Sequence, residues 1–159
     1  MIQGAKQFIE THNIPQHQIL SETENAVRFF TFVPYKKESF RDTNSYLRIE
    51  YDIIETGGLG VVFLNTDDII VFSDFNTYMI KNRLNIINKK YNVNVAYIEN
   101  NAVRLKMESP LVPSNLLSKA ANDFYYVASS LITEVYEWFV ENCNVIVGNM
   151  LEKYRGSGK

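Results

Sequence analysis

The chain has 159 residues, of which 46% are hydrophobic and 21% charged, and its net charge is −2. This length suits one domain with a full core, and scattered basic residues exclude a nucleic-acid surface, which needs a concentrated Lys/Arg patch. No run approaches 18 apolar residues and the first six residues contain no apolar stretch, so we expect neither a membrane span nor a secretion signal. Because the lone Cys143 cannot form an internal disulfide, we expect a cytoplasmic protein.

The first part of the chain predicts one short helix followed by strands. Apolar residues recur at helical spacing up to Ile9, and Pro15 ends this segment, since the residue before a proline avoids the helical region. Residues 18–21 predict a brief strand, and residues 26–33, rich in Val, Phe and Thr, predict a longer one. A charged loop is expected between Pro34 and Asn44, over residues 35–43.

The middle of the chain predicts two inner strands. Residues 45–54 alternate apolar and charged side chains, which is typical of a strand with one covered and one partly wet face. A glycine pair at 57–58 then turns the chain into residues 59–64, a nearly unbroken apolar run. Such a run indicates a central strand or a strand that faces a partner. A short extended piece is expected over residues 69–72.

A second helix and a hairpin follow. Ser73 or Asp74 is the expected N-cap of a helix that ends near Lys90, because either side-chain oxygen can accept a free backbone N–H of the first turn. Residues 93–97 and 103–107 alternate in polarity, and the Asn-Asn pair between them tolerates the positive φ of a tight turn. These residues predict an antiparallel hairpin.

The final segment, residues 114–153, predicts one long helix, bent at most once, that is apolar on two sides. The first stripe consists of Leu117, Ala121, Phe124, Ala128, Leu131, Val135 and Trp138. The second stripe consists of Tyr125, Ile132, Tyr136, Phe139, Cys143, Ile146 and Met150. One stripe suffices to face a core, so a second stripe predicts a surface that another chain covers.

The order of elements is α-β-β-β-(β)-α-β-β-α, which predicts an α+β fold with an antiparallel sheet and helices packed on one face. We expect a single domain over residues 1–155 and a disordered tail over residues 156–159.

No residue set predicts catalysis, a cofactor or a metal site. His12 and His17 lack further ligands at a useful spacing, and Cys143 is expected to pack as a small apolar residue. The adjacent Asp67 and Asp68 lie in a polar turn, where carboxylates are normally solvated. We therefore expect a non-enzymatic protein without cofactors.

The strand at residues 26–33 carries large apolar groups on both of its sides. Phe30 and Phe32 lie on the side opposite Phe29, which is the open side of a two-layer domain. Two interpretations remain: the first helix or the charged loop covers this side, or it docks another chain.

Residues 83–110, RLNIINKKYNVNVAYIENNAVRLKMESP, resemble the bacterial YbjN-like proteins, a family of sensory-transduction regulators. The shared pattern is a helix whose end carries Asn85 and Asn88 before Tyr91, then a hairpin with a polar turn, a proline-containing bend and a long apolar helix. The resemblance implies a domain like the type III secretion chaperones: compact, commonly dimeric, and binding extended segments of other proteins without catalysis.

The leading hypothesis is a YbjN-like regulator or chaperone-like protein that acts through association, with a second copy or an extended client segment as partner. The predicted interaction residues are Phe30, Phe32, Tyr125, Ile132, Tyr136, Phe139, Cys143 and Ile146.

Two rival hypotheses stay open. One is a small-molecule-binding protein or enzyme with an apolar pocket between sheet and helices, in which Tyr46, Tyr51, Tyr97 and Tyr126 supply the polar groups. The other is a structural subunit of a larger assembly.

Overall fold

The computed structural model describes residues 2–36, 44–74, 77–90, 94–142, 144–147 and 150–153. Within these residues the α-helices are α1 (Gln3–Thr11), α2 (Thr77–Lys90) and α3 (Leu117–Asn142). The strands are β1 (Ile19–Glu22), β2 (Ala26–Lys36), β3 (Asn44–Thr56), β4 (Leu59–Thr66), β5 (Ile70–Asp74), β6 (Asn94–Glu99), β7 (Ala102–Glu108), β8 (Val112–Pro113), β9 (Asn144–Val147) and β10 (Met150–Lys153).

The described strands form one antiparallel sheet in the order β1-β2-β3-β4-β7-β5-β9-β10. Two strands lie off this path, β6 beside β7 and β8 beside β4. The predicted α+β class with an antiparallel sheet is therefore confirmed. Among the described residues, no helix combines the length and the apolar character needed to cross a bilayer.

Alternation along β2 and β3 gives the sheet its covered face. Val27 pairs with Ile53 and Phe29 with Tyr51, and all four side chains are fully buried. Helix α3 contacts β2, β4 and β7, and α1 packs on α3. The same strands turn their alternate residues to the other side, as period-two geometry requires.

Helix α2 lies beside α3 in the same layer. Arg83 and Lys90 of α2 both reach Glu134 of α3, at N–O distances of 3.7 and 3.3 Å. The Arg83 guanidinium also lies 5.8 Å from the centroid of the Trp138 ring. The described helices therefore form a single layer on the covered face, as predicted.

A buried hydrogen bond ties the sheet to this layer. The Tyr51 hydroxyl donates to the Ala121 carbonyl oxygen at 2.7 Å, in the middle of the first apolar stripe of α3. Burial, and to a smaller degree the nearby Tyr125, raises the pKa of Tyr51 well above its usual 10.0. The neutral phenol is thus the form that the core retains.

Two glycines let α1 and β4 approach the start of α3. A Cβ on Gly4 would lie 2.5 Å from Leu117 Cδ1, and a Cβ on Gly60 would lie 2.6 Å from the same atom. Leu117 is fully buried between them. Any larger residue at either position would push apart elements that this side chain holds together.

Asparagines at positive φ end the first helix and form the predicted hairpin turn. Asn13 has φ of 51° just after α1, before Pro15. Asn100 and Asn101 have φ of 51° and 61° between β6 and β7. Asparagine adopts this left-handed conformation more readily than most residues, so the predicted hairpin turn is confirmed.

The predicted helix over residues 114–153 is wrong beyond Asn142. The chain instead forms β9, which pairs with β5, and β10, which pairs with β9. Residues 145–147 are Val-Ile-Val, whose branched side chains suit a strand better than a helix, and the edge of β5 offers them a partner. The predicted tail at residues 156–159 lies outside the described residues.

The predicted cap of the second helix is also wrong. Ser73 and Asp74 belong to β5, and α2 begins at Thr77. Ser114 opens a short 3-10 turn, Ser114–Leu116, before α3, and its buried hydroxyl has no hydrogen-bond partner among the described residues. At Ser73 and Asp74, strand pairing takes precedence over helix capping.

Helix side chains bond to backbone groups of β6 and of the part of β2 that lies beyond its pairing with β1. The Asn88 side chain of α2 accepts from the Ala96 N–H at 2.7 Å and donates to the Ala96 carbonyl at 3.2 Å, on the outer side of β6. On β2, the Phe32 carbonyl accepts from the Tyr125 hydroxyl at 3.3 Å, and the Pro34 carbonyl accepts from the Ser129 hydroxyl. Such bonds satisfy backbone groups that would otherwise invite a further strand.

Candidate interaction surface on the open face of the sheet

The second stripe of α3 is not an exposed surface. Ile132 and Phe139 are fully buried, Tyr136 is 6% exposed, and Tyr125 is partly buried. The prediction that another chain must cover this stripe is therefore wrong for the described residues.

Tertiary packing explains why one chain covers both stripes. Helix α3 contacts α1, the strands β2, β4 and β7, and also β9, which follows it directly. The ring of Tyr136 lies 5.6 Å from that of Tyr35 on β2. The helix is enclosed on several sides, so a wide apolar surface serves the core of a single subunit.

Of the last two predicted interaction residues, only Ile146 lies among the described residues, and it is not on α3. Ile146 is in β9, in register with Val71 of β5, so the predicted helical alignment with Phe139 does not exist. Cys143 lies outside the described residues.

Phe30 and Phe32 lie on the open face, opposite the helices, as predicted. Phe30 is half-buried and Phe32 is 44% exposed, whereas Phe29 is fully buried. The two open-face rings meet edge to face, with centroids 6.0 Å apart, and the Arg48 guanidinium lies 4.0 Å from the Phe30 centroid. We call Phe30, Phe32 and the exposed Tyr46 the aromatic end of this face.

Helix α1, the first candidate for covering this face, does not cover it, because it packs on α3, on the opposite side of the sheet. Of the second candidate, the predicted loop at residues 35–43, residues 35–36 belong to β2, and residues 37–43 lie outside the described range.

A band of paired charges crosses the middle of the open face. Arg28 lies 3.2 Å from the Asp52 carboxylate and 3.6 Å from that of Glu50, and Arg48 lies 3.7 Å from Glu50. All four side chains are partly exposed, so each pair contributes at most about 1 kcal/mol to folding. We call these four residues the ionic band; its two arginines and two carboxylates leave it without net charge.

The opposite end of the open face is apolar. Ile54 pairs with Val61, and Leu59 pairs with Pro113 of β8. Ile54 and Leu59 are 37% and 47% exposed. We call Ile54, Leu59 and Val61 the apolar end. The unbroken apolar run in β4 signalled it, because such a run places apolar residues on both faces of a strand.

Other charged side chains that could bind a ligand or take part in a reaction form structural contacts instead. Arg104 donates to Asp68 at 2.6 Å, and this hydrogen bond raises the pKa of the Arg104 guanidinium. Among the described residues, no group of three or more His, Cys, Asp or Glu side chains could hold a metal ion.

His12, just after α1, packs against α3. Its ring stands between those of Phe8 and Tyr125, with centroids 4.3 and 4.6 Å away, and its Nε2 lies 2.9 Å from Asn122 Oδ1. These contacts make His12 part of the packing between α1 and α3. Nothing in the sequence near His12 signalled a partner 110 residues away.

The four tyrosines proposed for an internal pocket do not converge. Tyr51 points into the covered face, whereas Tyr97 is on the strand positions that alternate with the buried Ala96. Tyr46 and Tyr126 are 66% and 60% exposed. Tyrosines on both faces of the sheet cannot line one pocket beneath the helices.

Comparisons with protein-family models, with curated protein sequences and with solved structures find no match to this chain. Membership of the YbjN-like family and likeness to the type III secretion chaperones therefore stay predictions.

Proposed function

We propose that this chain is a non-enzymatic protein-binding domain that docks another protein chain on the open face of its sheet. The observation that carries the proposal is the aromatic end: two phenylalanines and an arginine stacked over one of them, on the side of the sheet away from the helices. Aromatic and arginine side chains are the residue types that dominate the energy of protein interfaces.

The composition of the whole face supports the same function. Two apolar ends flank a neutral ionic band, so a partner could bury apolar area at both ends and make charged contacts between them. Folding alone gains little from these groups, because each ionic pair is exposed to solvent. Each end groups exposed apolar side chains together, and such groups commonly mark a partner surface.

A regulator or chaperone-like role in the cytoplasm is the biological setting that we propose for this binding. The setting agrees with the single cysteine and with the resemblance of residues 83–110 to the YbjN-like proteins. The pocket-based rival has less support, since the tyrosines proposed to line its pocket lie on both faces of the sheet.

Site-specific photo-crosslinking in the native cell tests this function. A photoreactive phenylalanine analogue replaces Phe32 on the open face or, as control, Tyr126 on α3, which is at least as exposed. We expect a defined protein adduct from position 32 and none from position 126. Absence of any protein adduct from position 32, in a chain that accumulates normally, would contradict the proposed function.

A further inference from the structure

We propose that the occupant of the open face is a second copy of this chain, docked face to face about a two-fold axis that runs across the strands through the Phe30–Glu50 row. This inference rests on the proposed function and names its partner. A two-fold interface requires one surface to be complementary to itself after rotation, and the register of the strands allows that condition to be tested residue by residue.

The register of β2 and β3 defines the rows of the face. Phe32 pairs with Arg48, Phe30 with Glu50 and Arg28 with Asp52. Rotation about the central row reverses the strand direction, so each row meets the row on the other side of the axis.

This rotation brings unlike charges together. On β3, Arg48 is one row from the axis on one side and Asp52 is one row from it on the other. Arg48 of each copy therefore lies over Asp52 of the other, and the contact occurs twice. Glu50 of one copy lies over Glu50 of the other. Arg28 and Arg48 already pair with each Glu50 and offset this repulsion.

The same rotation brings two further pairs of side chains into favourable contact. On β2, Phe32 of each copy meets Arg28 of the other, a cation–π arrangement. On β3, Tyr46 meets Ile54, so Tyr46 of the aromatic end covers Ile54 of the apolar end of the other copy. An axis along the strands, between β2 and β3, would also place Arg28 over Asp52 of the other copy, but it would set Phe30 against the Glu50 carboxylate, whereas the axis across the strands sets Phe30 against Phe30.

The size of the face is adequate for a stable dimer. Strands β1 to β4 contain 4, 11, 13 and 8 residues. At about 3.3 Å per residue and about 4.8 Å between strands, they span a flat area on the order of 600 Å². Protruding side chains make the accessible area of the face larger than this flat area. It therefore approaches the roughly 800 Å² per partner of a standard interface.

Charge-reversed variants test the geometry. Arg48→Glu alone places glutamate over the partner's Asp52 at both contacts, and Asp52→Arg alone places arginine over the partner's Arg48. An equimolar mixture of the two variants restores opposite charges at both contacts. Light scattering during gel filtration, on the order of 100 μM, should give a dimer for the wild type, monomers for each variant, and a heterodimer for the mixture.

Two controls make the result specific. Lys119→Glu makes the same charge change on α3, next to Asp123 at 2.9 Å, and should remain dimeric. Far-ultraviolet circular dichroism should show that both reversed variants keep the wild-type fold, because only exposed ion pairs change. We expect the dissociation constant of each single variant to rise at least about tenfold, since like charges opposed across an interface are strongly unfavourable.

A wild-type monomer overturns the inference, and so does a mixture that stays monomeric or single variants as dimeric as the wild type. The crosslinking experiment separates these failures from failure of the proposed function. An adduct of twice 18.4 kDa at position 32 supports the homodimer, whereas an adduct with a different protein keeps the binding function and excludes a second copy as occupant.

Discussion

The two faces of the sheet present similar residue types in different surroundings. Phe29 and Phe32 lie on the same strand, yet Phe29 is fully buried under the helices and Phe32 is 44% exposed. Tyr51 and Tyr46 repeat the contrast on β3, with 0% and 66% exposure. An apolar side chain therefore stabilises this fold only where a helix covers it, and on the open face the same side chain is available for a partner.

The largest difference between the faces is expected from truncating the two phenylalanines. Phe29→Ala should lower the free energy of unfolding by about 3–5 kcal/mol, because it leaves a cavity under the helices. Phe32→Ala should lower it by less than about 1 kcal/mol in the monomer, since the ring is already partly in water. Urea unfolding at low protein concentration measures both, and equal losses would remove the distinction between the faces.

A smaller difference is expected from the two tyrosine hydroxyls. Tyr51→Phe should cost about 1–2 kcal/mol, because it leaves the Ala121 carbonyl without its donor in the core. Tyr46→Phe, on the exposed side of the same strand, should have almost no effect on unfolding. If both variants unfold at the wild-type urea concentration, the hydrogen bond from Tyr51 to Ala121 contributes nothing measurable to stability.

The same pair makes a prediction about pH. Burial raises the pKa of Tyr51 above the 10.0 expected in the unfolded chain, so the neutral phenol stabilises the fold. That stability is fully present below pH 10.0 and is lost as the pH rises through the folded pKa. Above this pH, the free energy of unfolding should fall less steeply with pH in Tyr51→Phe than in the wild type, whereas Tyr46→Phe should follow the wild type.

The edge of the sheet should be less sensitive than its covered face. Asn88→Ala should cost about 1 kcal/mol, because the Ala96 N–H and carbonyl lose both of their bonds to the Asn88 side chain. Asn85→Ala changes an exposed asparagine of the same helix and should be close to neutral. Equal thermal midpoints for the two variants would mean that water replaces the Asn88 amide without loss.

The smallest effect is expected in the ionic band. Arg28→Ala removes the contacts to Glu50 and Asp52, and it should change monomer stability by no more than about 0.5 kcal/mol, since both pairs are exposed. Salt should diminish even this effect. A loss of several kcal/mol on urea unfolding would place the band among the determinants of the fold instead.

The sequence predicted the strands well because their signal is local. The alternation over residues 45–54 and the opposite sides of Phe29 and Phe30 follow from period-two geometry alone, and the burial pattern agrees with them. The ends of helices were predicted less well. Ser73 and Asp74 have the chemistry of a cap, but pairing of β5 with β9 and β7 extends the strand through both.

The candidate site was predicted in part. Phe30 and Phe32 were placed correctly on the open face, because their position depends only on strand periodicity. The ionic band and the apolar end were missed, since they form only when β2, β3 and β4 come into register. The sequence wrongly placed three residues of α3 on the surface, Ile132, Tyr136 and Phe139. Their helical spacing predicts that they share one side of the helix, but it does not predict which segments pack on that side.

By itself, the sequence determined the α+β class, the alternation of the strands and the polar turn at Asn100-Asn101, because each is set by neighbours along the chain. Only the tertiary structure decided that both stripes of α3 are enclosed, that the chain after Asn142 returns to the sheet, and that Ile54 and Leu59 stay exposed on the open face. Burial depends on which distant segments meet, and no local pattern of residues encodes that meeting.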